Sequence, residues 1–136
     1  MTRATQAAAV CLLLLGGLWI ASGWWERQFA TKMWEQVSPR ECLRLEVYQP
    51  FWVLPWALHS QPHPDPGMPQ RPFWRLPGWE SPAFYRLYDQ RTGELLAETG
   101  VYDAAYLGSS DITWGGMVRV GMLEVADVRD HFCIRR

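Results

Sequence analysis

His59, His63 and Asp65, in the run His59-Ser60-Gln61-Pro62-His63-Pro64-Asp65, are residue types that ligate divalent metals. Two histidines four apart meet one ion only when a helix stacks them, and Pro62 and Pro64 prevent that helix. No cysteine or fourth ligand accompanies them, so a solvated loop is expected. Asp127, Asp130 and His131 would likewise gather only on a helix, in a stretch whose surroundings alternate as strands do. Ser109-Ser110-Asp111 lacks the flanking glycines of a nucleophile elbow, and no glycine-rich phosphate loop occurs. The sequence therefore reads as a non-enzyme, with no metal site and no cofactor.

What the sequence does carry is membrane chemistry. No charged residue lies between Arg3 and Glu26, and Ala7 to Ile20 reads AAAVCLLLLGGLWI. The chain has 136 residues, enough for one modest domain, and 13 Lys plus Arg against 14 Asp plus Glu. All the acids lie after Trp25, so the remainder is mildly acidic and lacks the cationic excess that a nucleic-acid partner would need.

Residues 1–25 admit two readings. Ala21-Ser22-Gly23 supplies the small residues of a signal-peptidase site behind an apolar core of suitable length. Residues 4–25 are also long enough to cross roughly 30 Å of hydrocarbon at about 1.5 Å per residue. Trp24-Trp25 before Glu26-Arg27 forms an interfacial border, which favours the retained anchor. Cys11 follows Ala8-Ala9-Val10, which is no lipobox, and reads as an ordinary residue of the membrane helix. Arg3 on one side faces Arg27, Lys32, Arg40 and Arg44 on the other, so charge counting leaves orientation open. So short a segment ahead of the apolar block is the form of a bacterial signal anchor. The expected location is the bacterial inner membrane, with the C-terminal domain in the periplasm.

Residues 26–40 repeat apolar side chains at spacings of three and four: Trp25, Phe29 and Met33, then Ala30, Trp34 and Val37. This predicts an amphipathic helix or linker ended by Ser38-Pro39. From residue 41 the period becomes two. Leu43, Leu45 and Val47 alternate with Arg44, Glu46 and Tyr48, as in a half-buried strand. Phe84 to Tyr88 and Glu94 to Glu98 flank Asp89-Gln90-Arg91-Thr92-Gly93, a hairpin with glycine near the end of its loop. Met117 to Val125, with Val118, Val120 and Met122 on one face, and His131 to Arg135 predict two more strands. Residues 41–136 are thus expected to form a small antiparallel β domain, mainly β within an α+β whole.

Residues 50–82 hold nine of the ten prolines together with Phe51, Trp52, Trp56, Phe73, Trp74 and Trp79. Proline at that density forbids a helix or a central strand, yet so many large aromatics are costly to leave in water. They must cover something, either the domain's own sheet or a partner. Tryptophan is enriched at binding hot spots and long loops in compact domains are commonly functional. Trp52, Trp56, Phe73, Trp74 and Trp79 are accordingly the candidate partner contacts, with Glu80, Asp103 and Asp111 as acidic groups around them.

Tyr85-Arg86-Leu87-Tyr88-Asp89, Thr92-Gly93-Glu94-Leu95-Leu96-Ala97-Glu98 and the downstream Tyr102 and Trp114, together with the anchor, resemble small membrane-anchored proteobacterial proteins of unknown function. Some of these act as immunity proteins to antibacterial secreted effectors. The resemblance implies a protein-binding module that occludes a periplasm-acting toxin. A small structural subunit of a cell-envelope or secretion complex is the alternative. An exported domain with two cysteines meets an oxidising compartment, and Cys11 stays with the apolar segment, so a Cys42–Cys133 disulfide is expected.

Overall fold

The computed structural model describes residues 3–52, 59, 62–68, 81–104, 107 and 111–131, with side chains from Thr5 onward. Helix α1 (Arg3–Gln28) is followed by β1 (Thr31–Val37), β2 (Leu43–Gln49), β3 (Pro82–Asp89), β4 (Leu95–Glu98), β5 (Tyr102–Asp103), β6 (Ile112–Thr113), β7 (Met117–Val120) and β8 (Leu123–Asp127). The expected α+β composition, mainly β behind one apolar helix, is what forms.

α1 is long and apolar enough to cross a membrane, with a mean hydropathy of 1.9 over Thr5–Gln28, and nearly all of that length is exposed. The amphipathic helix expected over residues 26–40 does not form. α1 stops at Gln28, and Thr31–Val37 is instead an edge strand paired antiparallel with β2. A bulge at Met33 breaks the register, so Trp34 turns to the core side while Lys32 and Glu35 stay on the other. The apolar spacing fits a helix only because that bulge shifts the strand's alternation by one. Backbone pairing with β2 decides the outcome over local pattern. Ser38, expected to end a helix, opens the β1–β2 turn: its Oγ accepts from Leu43 N at 3.1 Å, and its own N–H donates to Leu43 O at 2.8 Å.

β1-β2-β3-β4 form an antiparallel sheet that β5 joins beside the start of β3, and β6-β7-β8 form a second sheet. Leu43, Leu45 and Val47 of β2 and Ala83, Tyr85 and Leu87 of β3 share one face. Val118 and Val120 of β7, Leu123 and Val125 of β8, and Val128 pack with them into one buried cluster. Burial of such side chains is worth about 1.5–3 kcal/mol each, which makes this cluster the main stabilising element of the domain.

The β3–β4 hairpin forms where expected. Asp89 Oδ1 accepts from Arg91 N at 2.7 Å and Thr92 N at 3.1 Å, and Gly93 takes a φ of 72°, open to a residue without Cβ. The strand expected from Met117 to Val125 is instead a hairpin, β7 and β8 joined through Gly121-Met122. Gly121 has a φ of 55°, which lets the chain reverse after Val120, and it leaves Met122 exposed at the tip, off the face of Val118 and Val120. Residues 132–136, most of the last expected strand, lie outside the described residues; His131 sits in a bend.

Tyr85 generates a prediction about pH. Burial pushes its phenol up to about 12, because the anion would have to form inside the core. A group raised in the fold contributes its stability below its ordinary value near 10 and loses it as pH rises through the folded value. Denaturant midpoints should therefore fall between pH 10 and 12, and Tyr85→Phe should flatten that limb. An unchanged alkaline limb in Tyr85→Phe would refute the assignment.

Candidate functional site

The two faces of the main sheet differ in chemistry. Opposite the apolar cluster lie Lys32 and Glu35 of β1, Arg44, Glu46 and Tyr48 of β2, Phe84, Arg86 and Tyr88 of β3 and Glu98 of β4, brought side by side by the register Glu35↔Glu46↔Arg86↔Glu98. Alternation in the strands places these polar residues on one face, but it does not leave them in water. Glu46 is only 5% exposed.

A buried carboxylate is tolerable only with partners. Glu46 accepts from Tyr48 Oη and pairs with Arg44 Nε at 3.0 Å and Lys32 Nζ at 3.6 Å. Burial, and then the Glu46 carboxylate, raise the Tyr48 phenol well above its ordinary range, so it stays a donor. Tyr48 stacks on Phe84 at 5.5 Å, and the Arg86 guanidinium covers both rings, 4.7 Å from Tyr48 and 5.1 Å from Phe84.

From Arg86 the network reaches the helix. Its Nε pairs with Glu98 at 2.6 Å, and Glu98 also takes the Arg27 guanidinium. Burial works against the Arg86 charge, but the Glu98 carboxylate outweighs it and raises its pKa. Arg86 Nη2 donates to the Arg27 carbonyl at 3.2 Å, and Phe51 N donates to the Glu26 carbonyl at 3.0 Å. Both acceptors belong to the last turn of α1, whose carbonyls have no intrahelical donor. The sheet thus caps the helix. Beside this junction Glu26 lies 3.6 Å from His59 Nδ1, and His59 stacks flat on Trp52 at 4.4 Å.

These groups compensate one another's charge, so the arrangement is suited to holding parts in place. Among the described residues no three His, Cys, Asp or Glu side chains gather as a metal site would require. His63 Nδ1 accepts from Asp65 N at 3.0 Å and Asp65 Oδ1 from Gly67 N at 2.8 Å, a local turn of the kind its prolines imply. Asp127 is held by Arg129, which brings its carboxyl down to about 2, whereas His131 turns away to Asp89 Oδ2 at 3.1 Å.

Of the candidate partner contacts, Trp52 is half-buried against His59, while Trp56, Phe73, Trp74, Trp79 and the acidic Glu80 lie outside the described residues. Asp103, expected to face a partner, is instead buried, and its Oδ1 accepts from Ser81 N at 3.2 Å to fix the entry to β3; Asp111 is exposed. Cys42 packs partly against the core cluster, and Cys133 lies outside the described residues. Sequence reasoning missed the Glu46–Arg86–Glu98–Arg27 chain. The signal available was the hairpin register, which sets Arg86 opposite Glu98, but nothing local shows that the helix end closes on it.

Comparisons with protein-family models, with curated proteins and with solved structures find no match to this chain.

The clamp itself can be tested. Glu98→Gln leaves Arg86 and Arg27 without their shared carboxylate, and removing one partner of a largely buried pair should cost about 2 kcal/mol. Urea unfolding of the full chain in detergent, followed by circular dichroism of the sheet, should show that loss. A change within about 0.5 kcal/mol, the range of ordinary surface substitutions, would place Glu98 outside the clamp.

Proposed function

We propose that the chain is a bacterial inner-membrane protein, retained through α1, whose β domain lies in the periplasm and acts by binding another protein. The observation that carries the membrane part is the contrast within α1. Its apolar length is exposed, while its last turn is capped by Phe51 and Arg86. Such a helix would be costly in water and needs a lipid environment.

The resemblance to immunity proteins and the proline-aromatic segment support the binding part. In this reading Trp52, Trp56, Phe73, Trp74 and Trp79 fill a cleft of a periplasm-acting toxin and occlude it. A small subunit of an envelope or secretion complex is the second reading, favoured by β1, an exposed edge strand that follows directly on the membrane helix. Loss of the gene should sensitise cells to a toxin encoded beside it when that toxin is directed to the periplasm. Unchanged survival would leave the subunit reading.

The assigned compartment would also pair Cys42 with Cys133. Cys11, in the apolar helix, is free and exposed. Strand pairing does not bring the two together, because the last described strand, β8, belongs to the other sheet. The support is now the Asp89–His131 contact: Asp89 is the register partner of Leu43, next to Cys42, and two extended residues from His131 reach about 7 Å.

Two measurements check these points. Alkaline phosphatase fused after Arg136 should be active on a chain that keeps its amino terminus; activity from a cytoplasmic reporter alone would reverse the orientation, and a mature terminus at Trp24 would remove the anchor. Unreduced protein extracted from the inner membrane should show one disulfide and a single alkylatable thiol, Cys11. Three alkylatable thiols would eliminate the bridge.

A further inference from the structure

Trp24, Phe29 and Phe51 come from the helix, the link to β1 and the segment after β2, yet their rings form one continuous chain. Trp24 and Phe29 meet edge to face at 6.3 Å, and Phe29 and Phe51 at 6.0 Å. All three are exposed, by 58%, 59% and 49%, so this is an aromatic surface and not part of the core. Among the described residues they form the aromatic cluster that begins on the membrane helix itself.

Its depth follows from the helix. The uncharged stretch from Ala4 to Trp25 spans about 33 Å at 1.5 Å per residue, close to the thickness of the hydrocarbon, so Trp24 falls at its boundary. The Phe51 N–H is bonded to the Glu26 carbonyl, which fixes the Phe51 backbone near that point of the axis. Glu26 is two residues beyond Trp24, a rise of about 3 Å, whereas the headgroup layer is about 5–7 Å thick on each side. Phe51 therefore lies within that layer whenever α1 spans the bilayer. Aromatic rings are favoured at this depth, where apolar faces meet acyl chains and edges meet headgroups.

We propose that Trp24, Phe29 and Phe51 form an aromatic foot seated in the headgroup and acyl boundary of the bilayer that holds α1, so that the β domain rests on the membrane surface. The inference depends on the anchor reading and adds to it a second contact, made by the folded domain. Continuity with the helix selects lipid as the occupant over a protein. The foot begins on a residue that the anchor already places at the interface, and the clamp at Arg86 and Glu98 holds the rest at the same level.

The test uses the full chain in nanodiscs of phosphatidylethanolamine and phosphatidylglycerol, with the photoreactive p-benzoylphenylalanine replacing one residue at a time at Leu14, Phe29, Phe51 or Met122. Each position is exposed, so the replacement removes no core contact. After irradiation, intact mass should show lipid adducts from Leu14, Phe29 and Phe51 severalfold above those from Met122. Adducts at Leu14 with Phe51 at the Met122 level would overturn the foot and leave the anchor standing. No adduct at Leu14 would overturn the anchor reading. A cross-linked dimer from Phe51 in place of a lipid adduct would assign the surface to a second copy of the chain and overturn the proposal.

Discussion

The carboxyl end of a helix presents carbonyls that no residue of the helix can satisfy, and here that end lies between an apolar segment and a folded sheet. Phe51 N–H and the Arg86 guanidinium supply the missing donors. Only Phe29 and Ala30 separate α1 from β1, so the helix cannot swing as it would on a linker. Everything else about the placement of the domain depends on this junction. It brings the ring of Phe51 to Phe29, the imidazole of His59 to Glu26, and the open edge of β1 to the point where the chain leaves the helix.

The junction also accounts for the second face of the sheet. One face is an apolar cluster closed by β7 and β8 and requires little explanation beyond area. The other carries Arg44, Glu46, Arg86 and Glu98, joined by the exposed Arg27 of α1, and its largely buried members would be unfavourable to bury one at a time. Pairing in series makes burial tolerable: Glu46 takes Tyr48, Arg44 and Lys32, and Glu98 takes Arg86 and Arg27. Buried ion pairs of this kind add little net stability compared with apolar packing, but removing a single member is costly. That asymmetry suits a role in holding one arrangement of helix and sheet.

The features legible in the sequence were those with local causes. Asp89 to Gly93 carries its own turn chemistry, and Leu43, Leu45 and Val47 alternate without interruption, so the hairpin and the central strand were readable. β1 is hidden in the sequence because the bulge at Met33 disguises a strand as a helical repeat. β7 and β8 read as one strand because a lone Gly121 is a weak turn signal within an alternating run. The junction was invisible for a different reason: Arg27 and Glu98 are 71 residues apart, and no local pattern reports a contact of that range. Trp52 was named as a candidate partner contact, and no local pattern points to its stacking on His59.

The most direct test of the junction is amide hydrogen exchange of the full chain in lipid nanodiscs, read at Phe51. Its N–H crosses from the sheet side to the Glu26 carbonyl and lies outside every strand, so protection there reports the junction alone. The clamp predicts exchange as slow as that of the β2 amides. Exchange at the rate of an unstructured chain, with β2 still protected, would mean that the domain hangs from its helix on a free tether, and would contradict the account.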